Sequence, residues 1–147
     1  MKLPNYQDYY PYILKFGDER RTADEYLELI CEEMKIPEDA KSVRNDSGEL
    51  TIRNRLRWAI HYLRRANLMD KPERAKYLPK HKTAKDCWII IDSRVFDVTN
   101  FLSQHPGGKK VLTRVGGKDA TEQFFQLHKN SVLDNVGSAF EIGKIKK

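Results

Sequence analysis

The sequence predicts an α+β protein built of two units in tandem. Over residues 1–80 apolar side chains recur at helical spacing. From about His81 the period changes, and "CWIIIDSRVFDVTNFL" is rich in β-branched and aromatic residues. Charge also divides along the chain. Residues 1–50 carry seven Lys and Arg against twelve Asp and Glu, residues 51–80 nine against two, and residues 81–147 eleven against seven. The expected units are residues 1–80 and 81–147.

In the first unit, "YQDYYPYILKFG" reads as a helix stopped at Gly17. "TADEYLELICEEMKI" opens at Thr22 with Glu25 three residues on, the pattern of a capping box, and Leu27, Ile30, Cys31 and Met34 follow at helical spacing. Pro37 ends that helix, and "KSVRNDSGEL" supplies a polar loop with a turn signal. The third helix, "LTIRNRLRWAIHYLRRANL", is the most regular. At about 100° per residue, Leu56, Ala59, Ile60 and Leu63 form one apolar stripe, and Arg53, Arg57 and Arg64 a second, charged one. Trp58 and Tyr62 are read as packing residues, His61 and His81 as surface or structural histidines. "DKPERAKYLP" then offers a turn at Pro72 with strands on either side. Three helices plus a β-hairpin wing is the order of a winged helix.

In the second unit a turn is expected at Asp92-Ser93, short helices over "KKVLTRV" and "ATEQFFQLH", and a closing strand at "FEIGKI". Only "YLPKHKTAKDCW" precedes the Trp-led strand, so the strand through Tyr77 and Leu78 is expected to serve both units.

Composition narrows the function classes. With 39% hydrophobic and 33% charged residues, the chain suits a globular protein and not a disordered one. No apolar run approaches the roughly 20 residues needed to span a bilayer. The opening "MKLPNYQDYYPY" lacks the apolar core of a secretory signal, so a cytoplasmic location without membrane association is expected. Cys31 and Cys87 belong to no CxxC or CxxCH pattern, which argues against covalent haem and Cys-ligated zinc. The basic block following an acidic one implies a surface that meets an anionic partner.

"QHPGGKKVL" places His105 directly before Pro106, Gly107 and Gly108. One reading is a tight turn with a histidine beside it. The other is a turn that fixes the direction of the ring while bare backbone lets something large and flat come close. "DCWIIIDSRVFDVTNFLSQHPGGKKVL", "GGKDATEQF", His128 and "FEIGKI" together resemble the cytochrome b5 haem-binding domain, over nearly all of residues 81–147. The resemblance implies non-covalent haem b with His105 and His128 as iron ligands. It also implies a pocket formed by Ile91, Val98, Phe101, Pro106, Gly107, Gly108, Val111, Leu112, Phe124, Leu127 and Lys129. Two imidazoles and four pyrrole nitrogens fill the iron, so the expectation is one-electron transfer and no catalytic site. Lys129 replaces a frequent serine. Lys109 and Lys110, where many relatives carry acidic residues, join Arg114, Lys118 and Lys129 in a positive rim suited to an acidic redox partner protein.

"TIRNRLRWAIHYLRRANLMDKPERAKYLPK" resembles the end of the N-terminal winged-helix domain of Mrr-type restriction endonucleases. That resemblance implies duplex DNA as a partner, met by Arg53, Asn54, Arg57 and Arg64, with Arg74 and Lys76 in the wing. The leading expectation is a soluble bis-histidine b-type haem protein docked through a winged helix to DNA or a protein, as a redox module or a haem sensor. The alternatives are a plain electron carrier whose winged helix recognises only a redox partner, or a non-haem small-ligand or interaction scaffold.

Overall fold

The structure is a computed structural model that describes residues 2–70 and 76–145. The chain forms two compact units, Met1–Leu78 and Pro79–Lys147.

In the first unit a 3-10 turn, Tyr6–Tyr9, runs into α1, Tyr10–Lys15. Strand β1, Arg21–Thr22, then leads into α2, Ala23–Glu33. The Thr22 hydroxyl accepts from the Glu25 amide at 3.1 Å, and the Glu25 carboxylate accepts from the Thr22 amide at 3.4 Å. This reciprocal cap satisfies two amides that the first helical turn leaves over. Pro37 does not open a plain loop. It stands at the N-cap of a further short helix, α3, Glu38–Lys41, a position where its missing N–H costs nothing. Asn45 then organises the turn before the long helix, its side chain accepting from Ser47 and Glu49 amides at 3.1 and 3.0 Å.

Helix α4, Thr51–Arg65, buries Ile52, Leu56, Ala59, Ile60 and Leu63. Tyr9, Tyr10, Ile13, Leu14, Tyr26 and Ile30 are buried with them in the first unit, and Ile52 clusters with Cys31, Ile36 and Ala40. Trp58 corrects the reading as a packing residue, since it is 48% exposed. Tyr62 is half-buried, with its ring 5.1 Å from Tyr6. The apolar stripe already fills the helix's inner face, and Trp58 lies off it.

Strand β2, Lys76–Tyr77, pairs antiparallel with β1. The turn expected at Pro72 falls in residues 71–75, which lie outside the described residues, and Met69 and Pro79 on either side of it are bridge residues. Asp70 and Leu78 close the base of that segment, with the Asp70 amide donating to the Leu78 carbonyl at 3.0 Å. Tyr26 Oη donates to the Tyr77 carbonyl at 2.9 Å and ties α2 to β2.

The second unit has its own sheet, in the order β3-β4-β5-β6. Strand β3 is Lys82–Thr83, β4 Asp86–Ile91, β5 Arg94–Asp97 and β6 Glu141–Lys144. This overturns the expectation of a shared strand. Tyr77 is spent on β1, and β3 opens the second sheet. Asp92 and Ser93 both adopt positive φ, +52° and +61°, the two-residue turn whose twist matches an antiparallel hairpin. Because β3 is short, residues 117–120 cover the rest of that edge of β4. Gly117 donates to the Trp88 carbonyl at 2.7 Å, and Ala120 to the Ile90 carbonyl at 2.7 Å.

A 3-10 segment, Thr99–Gln104, and α5, Lys109–Arg114, follow β5. Then come α6, Thr121–Leu127, and α7, Asn130–Asn135. Cys87, Ile89, Ile91, Phe96, Val98, Leu102, Leu112, Ala120 and Leu133 form one core cluster. The sheet supplies the floor of this cluster and the helices its walls.

Truncating Leu63, wholly buried on α4, should cost about 2–5 kcal/mol in denaturant unfolding. Trp58→Ala should cost less than about 1 kcal/mol in the same measurement, because so much of the ring is already in water.

Candidate functional site

The second unit holds a cavity of about 480 Å³, within the range of about 300–1,000 Å³ usual for small-molecule sites. Its floor is Ile89, Ile91, Phe96 and Val98 on β4 and β5. Leu112 and Val115 close one side, and Phe124, Leu133 and Phe140 the other. Among the lining side chains only His105, Gln123 and His128 carry polar atoms. The lining is otherwise hydrocarbon.

Each histidine ends a helical segment and turns its ring off the helix axis. His105 follows Thr99–Gln104 with extended backbone, φ −68° and ψ 126°, as the proline after it requires. Gly108 then adopts φ +93° and its amide donates to the His105 carbonyl at 3.0 Å, which closes the turn. A Cβ on Gly107 would lie 2.8 Å from His105 Cε1, so only glycine lets the ring pack on the turn. His128 follows α6 with φ −134° and ψ 153°, and its ring stacks on Phe124 at 4.5 Å and 13°.

Both rings are held by the same kind of bond. His105 Nδ1 lies 3.3 Å from the Gly108 carbonyl oxygen, and His128 Nδ1 lies 3.2 Å from that of Phe124. A carbonyl can only accept, so each Nδ1 is the protonated nitrogen and donates. Each Nε2 is left as a bare lone pair, the form in which imidazole binds a metal.

The donor set says what kind of metal fits. No group of three or more His, Cys, Asp or Glu able to hold an ion occurs among the described residues. Two imidazoles in an apolar slot suit a metal that brings its remaining ligands with it, as a porphyrin does. Val111, Leu127 and Val136 line the same cavity while 44%, 78% and 53% exposed, which is apolar surface a flat ligand would cover.

Ile91, Val98, Phe101, Pro106, Gly107, Val111, Leu112, Phe124 and Leu127 all line this cavity with the two histidines. Gly108 and Lys129 do not. Gly108 contributes its carbonyl from behind His105, and Lys129 is exposed at the N-cap of α7. Sequence reasoning missed Ile89, Phe96, Val115, Ala120 and Gln123, and also a second group, Val132, Leu133, Val136, Gly137 and Phe140. The signal for that second group was the spaced apolar residues of "SVLDNVGSAF", too short a run to show a period.

On α4, Arg53 pairs with Asp24 at 3.0 Å. Asn54 donates to Glu49 at 2.9 Å, and Arg57 pairs with Glu49 at 3.1 Å. The Asn54 bond, with Arg57 beside it, holds the Glu49 carboxyl below the usual range. Arg64 and Lys76 are exposed, and Arg74 lies outside the described residues.

Two family models match the chain. One is the cytochrome b5-like haem/steroid binding domain, over residues 74–146, and the other the Mrr N-terminal domain, over residues 6–78. A Neurospora crassa protein carrying the name cytochrome b5 is 48% identical over 66 residues, 45% of this chain and 80% of that protein. The chain belongs to the cytochrome b5 family.

A cytochrome b5 of Rhizopus stolonifer is 56% identical over 66 residues, 45% of this chain and 50% of that protein. The chain spans about half the length of this and most of the other curated relatives it matches. The solved cytochrome b5 of Ostreococcus tauri virus 2 aligns with TM-score 0.43 and 47% identity, over 46% of this chain and 86% of that one. The second unit is accordingly a cytochrome b5-like haem-binding domain of the electron-transfer type, and its cofactor is non-covalent b-type haem. Among the described residues no helix is long and apolar enough to cross a membrane.

Two outcomes follow for the cytochrome b5-like unit. Gly107→Ala should speed haem loss to an excess of a high-affinity acceptor several-fold, because the added methyl displaces the His105 ring. Asp119 is held by the Thr121 amide at 3.0 Å, yet burial dominates and pushes its carboxyl up. The folded state therefore keeps this proton to higher pH than the unfolded chain, whose value is about 3.9. Stability from this group is full below that value and is lost as pH rises through the folded one. Asp119→Asn should gain on the parent as pH rises from about 4, in urea unfolding followed by the haem band.

Proposed function

We propose that the protein is a one-electron carrier whose haem is held by His105 and His128, docked to nucleic acid by its Mrr-like unit. The observation that carries the first part is the pair of imidazoles in an apolar cavity, each with Nδ1 bonded to a backbone carbonyl. Held by His105 and His128, haem would supply one-electron transfer, with no ligand position left for a substrate.

The chain's residues prepare that exchange. Their carbonyl bonds set the tautomer of His105 and His128 and limit ring rotation, so little reorganises when the charge changes. The apolar floor and walls would exclude water from the bound group. Lys109, Lys110, Arg114, Lys118 and Lys129 are all exposed in the same unit and favour an acidic redox partner protein.

Docking to nucleic acid is supported by α4, which has no acidic residue and carries Arg64 and Arg65 exposed in its last turn. Such a helix draws phosphate by charge before any specific contact forms.

Visible spectra test the haem assignment. Ferric protein should show low-spin bands that are lost in His105→Ala and again in His128→Ala. Carbon monoxide should bind the two reduced variants readily and the parent poorly. A parent that takes up carbon monoxide freely, or a variant that keeps the low-spin spectrum, contradicts the paired ligation.

A further inference from the structure

Helix α4 borders a groove of about 500 Å³ that brings Trp58, His61, Arg64 and Tyr77 together with Asn54 and Arg57. Two of the basic side chains on this helix are already committed. Arg53 is paired to Asp24 and Arg57 to Glu49, so they brace the unit and do not wait for a ligand. Arg64 and Arg65 are exposed, and no carboxylate among the described residues pairs with either. The free positive charge of α4 is thus displaced to its C-terminal turns, one step along from Trp58.

Trp58 itself is unusual. An indole left 48% exposed forgoes much of the burial that makes tryptophan favourable in a core. It is nevertheless oriented. Its ring lies 5.4 Å from His61 at 86° and 5.9 Å from Tyr62 at 30°, and Tyr62 is itself held against Tyr6. The surface therefore presents a positioned aromatic ring, a second ring at His61 and free guanidinium groups close by.

That combination discriminates between anionic partners. An acidic peptide satisfies the guanidinium groups but brings no flat π-face to the indole. A duplex supplies phosphates, but its base faces are stacked on each other and unavailable. An unpaired strand supplies both, a base face for the ring and a phosphate for the arginine. We propose that the α4 groove is a stacking site for single-stranded nucleic acid, with Trp58 and His61 meeting bases and Arg64 meeting the backbone. The proposal rests on the nucleic-acid docking reading above and narrows it. Arg53, Asn54 and Arg57 then maintain the groove through Asp24 and Glu49.

The test uses the full haem-loaded chain and fluorescence anisotropy with a labelled twelve-residue oligo-dT, an abasic strand of the same length, and a duplex. Oligo-dT should bind best. Trp58→Ala should weaken it about 5- to 100-fold and leave the abasic strand unchanged, while Trp58→Phe restores most of the loss. Arg64→Ala should weaken both single strands alike and flatten the salt dependence. Circular dichroism melts of each variant establish that the fold persists. Unchanged oligo-dT affinity in a folded Trp58→Ala, or equal affinity for the abasic strand, overturns the stacking site. So does competition by polyglutamate as effective as by oligo-dT, which would mark the groove as an acidic-peptide site. Duplex binding that matches or exceeds single-strand binding overturns stacking and leaves nucleic-acid docking standing. Absence of binding to every strand overturns both.

Discussion

The second unit depends on two hydrogen bonds from imidazole Nδ1 to backbone carbonyls, at Gly108 and at Phe124. Each bond spends the one donor of a neutral imidazole and leaves the opposite nitrogen bare inside hydrocarbon walls. The surroundings serve that outcome. Pro106 stops the helical segment at His105, Gly107 leaves room for the ring, and Gly108 turns the carbonyl back toward it. On the other side His128 reaches back one helical turn to Phe124, whose ring also supports it face to face. Without those carbonyls, either ring could rotate or exchange tautomer.

Charge connects this site to what surrounds it. In the second unit lysines follow both the HPGG turn and His128. The first unit also concentrates cationic residues on one helix, but the structure divides them by role. Arg53 and Arg57 neutralise Asp24 and Glu49 within the fold, and Arg55 bonds the carbonyls of Leu3 and Pro4 at 3.2 and 2.8 Å. Among the described residues no carboxylate pairs with Arg64 or Arg65 at the end of the helix. Counting arginines along α4 thus overstates what an incoming polyanion would meet.

The sequence shows best what is decided locally. The Thr22–Glu25 cap, the Asp92-Ser93 turn and the HPGG turn depend on residues three or fewer positions apart, and all can be read from residue type. The apolar stripe of α4 is legible because fifteen residues give a period time to show. What escapes is short or distant. Helix α7 has six residues and buries only Leu133, so its contribution to the pocket leaves no pattern. Asp24 lies 29 residues from Arg53, and nothing local says that the pair will meet. Pro37 is legible as the end of α2, yet the same residue opens α3. Trp58 was misread because large aromatic rings are usually buried, and only the finished packing reveals that the inner face of α4 was already full.

The tautomer of the two histidines is the central physical claim, and nitrogen-15 spectra of the reduced, haem-loaded protein address it directly. Both His105 and His128 should show a protonated, slowly exchanging Nδ1 and a proton-free Nε2. A proton on Nε2 of either residue would contradict the account, because that ring could not then be a ligand through the nitrogen its carbonyl bond leaves free.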